Sequence, residues 1–160
     1  MDMSDFNNGY GLNDEQIKHI AAAVYGENRG QGDDALKATA ASFFNRMGEH
    51  EWKKQSVDNL AYHTFNAIKD SVSGKNTGYL DALSGKFPDK DGENEYKKII
   101  SMVGAMNRGK MDTGDAQFYF NDNEIKKLKA SKNFDFAKVD EGDSFKAGGQ
   151  KFRTFHYKKS

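Results

Sequence analysis

The sequence has no cysteine, a single proline and no long apolar run in its 160 residues. Without cysteine there is no disulfide framework, no thiolate zinc site and no cysteine nucleophile. Because no stretch approaches the roughly 18 apolar residues of a membrane helix, we expect no membrane insertion. Basic and acidic residues number 24 each, so the basic excess that broad nucleic-acid binding requires is missing. We expect no nucleic-acid partner, although the balanced net charge does not exclude a local charged groove.

The length indicates one domain that buries about two thirds of its unfolded surface. Residues 1–11 are polar and acidic, without a basic-then-apolar signal pattern. We predict a flexible N-terminal tail at 1–11 and a single domain at 12–160. The expected fold is mainly α, with long loops and at most a small β-hairpin, in a monomer.

The first helix has a clear start and a buried face. Asn13 and Gln16 have the spacing of a capping box, in which each side chain caps the backbone of the other residue. Apolar residues then recur at helical spacing from Ile17 to Val24, which predicts one face toward the core. Gly30 ends this helix.

Further elements are predicted from apolar periodicity and capping residues. The predicted helices are 33–47 before Gly48, a short one capped by Ser56 after a polar link at 50–55, about 93–107, and one or two turns within 123–129. Residues 70–91 lack periodicity and are interpreted as long surface loops with a short helix at 78–83. Residues 116–120 are interpreted as extended, and the chain from 134 onward as irregular loop with one small hairpin.

Glu27 is the candidate catalytic residue. It lies three residues after Val24 on the flank of the buried face, and the helix dipole disfavours a negative charge at a C-terminus. Partial burial with few charged partners raises a carboxyl pKa, as a general acid at neutral pH requires. The alternative is a surface glutamate paired with Arg29 or a lysine.

Two segments together resemble the spore-cortex-lytic type of cell wall hydrolase. They are Val24-Tyr25-Gly26-Glu27-Asn28-Arg29-Gly30, where that family has Tyr-(Ala/Gly)-Glu-Ala-Arg-Gly, and Ala40-Ala41-Ser42-Phe43-Phe44-Asn45-Arg46, where it has a helix ending in Asn-Arg. Weaker similarities follow in the family's order at 64–66, 107–120 and 147–152. Asn28, Asn66 and Gln150 depart from the family's usual Ala, Ser and His.

The resemblance implies a lysozyme-like helical fold and makes residues 12–160 a single catalytic domain. It also implies cleavage of the β-1,4 bond between N-acetylmuramic acid and N-acetylglucosamine in peptidoglycan glycan strands. In lytic transglycosylases one glutamate, here Glu27, protonates the glycosidic oxygen and then acts as base. A second carboxylate is needed only in two-carboxylate hydrolases. Asp33, Asp34 and Asp70 remain candidates for that role.

Sugars bind to aromatic faces together with amide and hydroxyl groups. The candidate substrate-binding residues are Phe65, Asn66, Gln117, Tyr119 and Gln150. Alternation along the extended segment predicts that Gln117 and Tyr119 face the groove while Phe118 faces the core. Core packing is the alternative for the phenylalanines. Tyr25 is expected to pack under the groove. The resemblance also implies that Asn45 and Arg46 support the wall of the groove by hydrogen bonds; the alternative is a polar helix end with Arg46 in solvent.

We expect neither a metal nor a cofactor. The pair His50-Glu51 lacks the second histidine of a zinc-protease motif, since Lys54 stands in that position. Gly92 is misplaced for a calcium loop at 89–93, which favours a loop and helix N-terminus there.

Two other functions stay open. One is a non-catalytic glycan-binding or structural module on the same fold, and the other is a peptidoglycan peptidase, which the missing cysteine and zinc motifs disfavour. With no signal pattern and no wall-binding repeat, the sequence suggests a phage lysin or virion-borne lysozyme. Such a protein acts on the bacterial cell wall and is held in the virion or the host cytoplasm before release.

Overall fold

The computed structural model describes residues 10–49, 55–147 and 149–158, which form seven α-helices and a small antiparallel sheet. The helices are α1 (Asp14–Asn28), α2 (Asp33–Met47), α3 (Val57–Thr64), α4 (Asn66–Ser73), α5 (Gly78–Ser84), α6 (Lys90–Asn107) and α7 (Asp122–Ser131). The strands are β1 (Phe118–Asn121), β2 (Val139–Glu141), β3 (Phe145–Ala147) and β4 (Gln150–Tyr157), with a 3-10 turn at Phe136–Lys138. The mainly α class is confirmed. Most of the predicted tail, at 1–9, and the polar link at 50–54 lie outside the described residues, as does position 148.

Helix α1 begins as its capping pattern predicts. The Asn13 side chain accepts from the Gln16 N–H at 2.8 Å, and the Gln16 side chain accepts from the Asn13 N–H at 2.9 Å. Ile20 and Val24 are fully buried. The helix ends just before Gly30, whose φ of +77° is a left-handed conformation that glycine adopts readily.

The prediction of long surface loops at 70–91 is wrong, although the short helix predicted within it at 78–83 is confirmed as α5 (Gly78–Ser84). Helices α4 and α5 both pack against α1, and Asp89 caps α6 by accepting from the Gly92 N–H at 2.9 Å. The close packing depends on Gly26: a Cβ there would lie 2.8 Å from the Cβ of Ala67 and 3.0 Å from the backbone N of Tyr79. Small residues make this contact, so no stripe of large apolar side chains reveals it in the sequence.

The apolar side chains form two clusters. The larger one lies between the helices and includes the fully buried Leu36, Phe43 and Ile99. The smaller one includes Ile125 and Phe155 and lies between the sheet and α7. Tyr10, near the end of the predicted tail, packs on Phe44 with ring centroids 4.7 Å apart and donates its N–H to the Asn107 carbonyl at 3.0 Å.

Strand β4 is the centre of the sheet. Strand β1 pairs antiparallel with one edge of β4, and Phe118 lies opposite Phe155. On the other edge, β3 pairs with the first part of β4 and β2 with the last part. The hairpin expected after residue 134 corresponds to β3 and β4. Two further short strands, β1 and β2, also pair with β4. Within the described ranges no helix has the length and apolar character needed to cross a membrane.

Candidate active site

A cavity of about 440 Å³ lies between the helical cluster and the sheet. Its walls come from the C-terminal end of α1, the inner face of α2, the α3–α4 junction and strand β1. Two other cavities have nearly the same volume, about 440 and 430 Å³. Volume therefore does not single out a site, but this cavity is the one that contains Glu27.

The Glu27 carboxylate caps helix α4. Its Oε1 accepts from the Ala67 N–H at 2.8 Å, and the Asn66 N–H is a second backbone donor to the carboxylate. The N-cap residue of α4, Phe65, has no side chain able to accept these bonds. A residue from α1 therefore satisfies the free amides that begin another helix, and this holds the carboxylate in a fixed place.

Burial raises the pKa of Glu27 above its ordinary value. The Ala67 and Asn66 amides act in the opposite direction because they stabilise the charged form, while the neighbouring Asp70 carboxylate raises the pKa further. Desolvation is the largest contribution, so the net shift favours the protonated acid. This is the direction that a general acid needs.

Three polar side chains form a buried hydrogen-bonded chain beside Glu27. The Asn28 amide donates to the Thr39 hydroxyl, which in turn shares a 2.9 Å hydrogen bond with the Tyr119 hydroxyl. Burial raises the pKa of Tyr119, so its phenol is neutral. The chain fixes the Tyr119 ring in the cavity wall. Thr39 lies on the buried face of α2 among alanines, and this placement is the signal that sequence reasoning overlooked.

Asn45 and Arg46 hold the segment before β1 against α2. Asn45 donates from Nδ2 to the Thr113 and Ala116 carbonyls, both at 2.9 Å. Arg46 donates from Nε to the Gln117 carbonyl at 2.8 Å. These contacts fix the start of the strand that carries Tyr119.

The Arg46 guanidinium itself is enclosed. It lies 4.8 Å from the centroid of the Phe118 ring and lines the cavity. Burial lowers the pKa of Arg46 to about 10. The group still carries its positive charge at neutral pH and contributes that charge to the wall of the cavity.

Gln117 does not reach the cavity with Tyr119, contrary to prediction. It is 5% exposed; its amide donates to Glu49 at 3.1 Å and accepts from the Tyr157 N–H at 2.7 Å. Phe118, predicted to be core, lines the cavity next to Tyr119 while it also packs in the smaller cluster. The alternation failed because β1 begins at Phe118 and Gln117 precedes the regular strand.

Tyr25 does not pack under the cavity either. It packs on Phe87 and Tyr96, with ring centroids 5.7 and 6.1 Å away. Two residues along a helix turn by about 200°, so Tyr25 and Glu27 point to nearly opposite sides of α1. The ring therefore belongs to the core between α1 and α6.

The other predicted contact residues differ in their placement. Asn66 is exposed at the first position of α4 and lines the cavity. Phe65 belongs to the cavity lining, but the residue is only 1% exposed. Its ring stacks on that of Phe43, with centroids 5.6 Å apart, so Phe65 is mainly a core residue. Gln150 is exposed and accepts from the Asn121 amide at 2.9 Å, which places it next to a lining residue rather than in the lining.

Carboxylates other than Glu27 are distributed around the molecule. Asp33 pairs with Lys98 on the surface at 2.9 Å, and Asp34 lines a different cavity. Asp70 acts on Glu27 electrostatically, whereas Glu124 lies in the cavity lining and accepts from the Asn121 N–H at 3.0 Å. Sequence reasoning did not find Glu124. Among the described residues no group of acidic and histidine side chains has the arrangement of a metal site.

No family model matches this chain. No curated protein and no solved structure matches it either. The function proposed below therefore depends on the geometry of the Glu27 cavity and on the sequence motifs.

Proposed function

We propose that the protein cleaves the β-1,4 bond of peptidoglycan glycan strands, as a lytic transglycosylase or muramidase, with Glu27 as general acid and base. The observation that carries this proposal is the partly buried Glu27 carboxylate, with its raised pKa, in a cavity lined by hydroxyl, amide and aromatic groups. Such a lining suits a saccharide. The resemblance of the segments at 24–30 and 40–46 to the cell wall hydrolases supports the same chemistry, and the site of action would be the bacterial cell wall.

In this mechanism protonated Glu27 gives its proton to the glycosidic oxygen as the bond to C1 breaks. The resulting carboxylate stabilises the positive charge that develops on the sugar ring. It then takes a proton from the nucleophile that attacks C1. If the nucleophile is the C6 hydroxyl of the muramyl unit, the product is a 1,6-anhydro end; if it is water, the product is a reducing end. Asn66 and Tyr119 line the cavity and would contact the sugar.

A second candidate is a non-catalytic glycan-binding or structural module. The observation that favours it is the contact between Glu27 and the Ala67 amide, because a carboxylate that caps a helix has a structural role without any catalysis. This candidate predicts that glycan binding survives Glu27→Gln and that the unaltered protein cleaves nothing.

The test is digestion of purified cell walls, followed by mass analysis of the soluble fragments. Glu27→Gln is the informative variant, since its amide oxygen still accepts from Ala67 while its side chain cannot donate an acidic proton. We expect cleavage by the parent protein and none by the variant. Unimpaired cleavage by Glu27→Gln would refute the assignment of the acid.

The fragments also identify the nucleophile. Anhydro ends support the transglycosylase and reducing ends the hydrolase. For a hydrolase, Glu124→Gln tests whether the second carboxylate in the lining takes part. Loss of activity in that variant, with unchanged thermal stability, would make it a two-carboxylate enzyme.

A further inference from the structure

We propose that a groove beside the Glu27 cavity is a distal glycan-binding site, which takes sugar units of the same strand several units away from the bond that is cut. The groove lies where α1, α3, α4 and α5 meet and has a volume of about 260 Å³. The inference rests on the proposed function, because it assigns more of the substrate to the same protein.

The lining of the groove has the chemistry of a saccharide site. Two tyrosines, Tyr62 and Tyr79, supply ring faces and edges, and Gln16, His19 and Asp58 supply hydrogen-bonding groups. Among the described residues no lysine or arginine lines the groove, so its walls would bind the hydroxyl and acetamido groups of the strand rather than the lactyl carboxylates of its muramic acid units. Aromatic rings combined with amide, imidazole and carboxylate groups suit hydroxyl-rich and amide-bearing sugars.

The two tyrosines are already held in place. The Tyr79 hydroxyl and His19 Nδ1 form a hydrogen bond of 2.8 Å. Tyr62 is 43% exposed, with Lys69 Nζ 5.3 Å from its ring centroid and the His63 ring packed edge-on at 5.6 Å. A large exposed ring that its neighbours orient loses little conformational freedom when it binds a ligand.

Helix α3 contributes to the walls of both the groove and the Glu27 cavity. Tyr62 lines the groove, and the next residue, His63, lines the cavity. Along α1, His19 and Glu27 are eight residues apart, or about 12 Å along the helix axis. A few sugar units span that distance, so a strand bound at Glu27 can pass over the Tyr62–His63 pair into the groove.

The experiment compares binding of two peptide-free probes to protein carrying Glu27→Gln, which prevents cleavage. One probe is a long strand of alternating N-acetylglucosamine and N-acetylmuramic acid, and the other is the disaccharide. We expect Tyr62→Ala to weaken binding of the long strand about three- to tenfold, the effect of one aromatic contact. Affinity for the disaccharide is expected to stay the same, and Tyr62→Phe to bind the long strand nearly as the parent does.

Val72→Ala is the matched control, because Val72 is 82% exposed on α4 and lines neither the groove nor the cavity. Equal binding of the long strand with and without Tyr62→Ala would overturn the distal site while the proposed function stands. The distal site would also be overturned if Tyr62→Ala weakened the binding of both probes equally. The same holds if binding were weakened only for strands that carry stem peptides, since the groove would then bind peptide. If neither probe binds and the parent protein cleaves no cell wall, the proposed function fails as well.

Discussion

The Glu27 carboxylate accepts a hydrogen bond of 2.8 Å from the backbone N–H of Ala67, forty residues further along the chain. One group therefore does two things that favour opposite protonation states. As the cap of α4 it is stabilised when charged, and as a buried group in a cavity it is stabilised when neutral. Burial prevails, because the net pKa shift is upward.

The pH dependence of stability is expected to show this conflict. Since the pKa of Glu27 is higher in the folded than in the unfolded chain, its contribution to stability is full below the unfolded pKa and is lost as pH rises through the folded pKa. Glu27→Gln should therefore unfold at a higher temperature than the parent at pH 7, and at nearly the same temperature at about pH 4. Thermal unfolding followed by circular dichroism between these pH values measures the difference.

Glu27→Ala separates the two roles of this side chain. Alanine removes the acceptor for the Ala67 amide, so it should cost about 1 kcal/mol of unfolding free energy relative to Glu27→Gln. If the two variants were equally stable at every pH, the capping role would be refuted.

The pH dependence of cleavage depends on the same carboxyl group. A general acid must be protonated, so the rate should fall as pH rises through the pKa of Glu27. Asp70→Asn removes a neighbouring negative charge that raises this pKa. It should move the alkaline fall in rate to lower pH, measured as the pH profile of kcat/KM. Asp33→Asn is the control, since Asp33 pairs with Lys98 on the surface and should leave the profile in place.

Gly26 is expected to tolerate no side chain. Gly26→Ala brings a Cβ to 2.8 Å from the Cβ of Ala67 and should destabilise the fold by about 1–3 kcal/mol. Because Ala67 would be displaced, activity should fall as well. Gly48→Ala is the control: its Cβ would meet nothing closer than 3.8 Å and its φ is −77°, so the change should be neutral or stabilise by about 0.4–1 kcal/mol. Urea unfolding compares the two, and equal effects would contradict the close packing.

Arg46 is expected to matter far more than an exposed cation. Arg46→Met removes the donor to the Gln117 carbonyl and should cost about 1.5–3 kcal/mol, the range for hydrogen bonds to charged groups. Activity should also decrease, since the strand that carries Tyr119 loses a support. Lys98→Met breaks an exposed ion pair and should cost about 0–1 kcal/mol. Unfolding free energies in urea, together with kcat/KM, test the contrast, which fails if both variants behave alike.

The elements that sequence reasoning found are those whose signals are local. The capping box at Asn13 and Gln16, and the bounds of α2, depend on residues close together in the chain. Strand β2, with three residues, gives no such signal, because it exists only through its pairing with β4. Gln117 was misplaced for a similar reason: whether it belongs to the strand depends on where pairing with β4 begins.

By itself, the sequence determined the mainly α class, the start and end of α1, and the position of an acid at the flank of a buried helix face. Helical periodicity and capping are short-range properties, so a single chain displays them. Only the tertiary structure decided what surrounds that acid. The acid caps α4 by accepting from two backbone amides, and burial raises its pKa, while Tyr119 is held beside it through Thr39. These contacts join residues 40 and 80 positions apart, and the first of them depends on how closely α4 can approach Gly26.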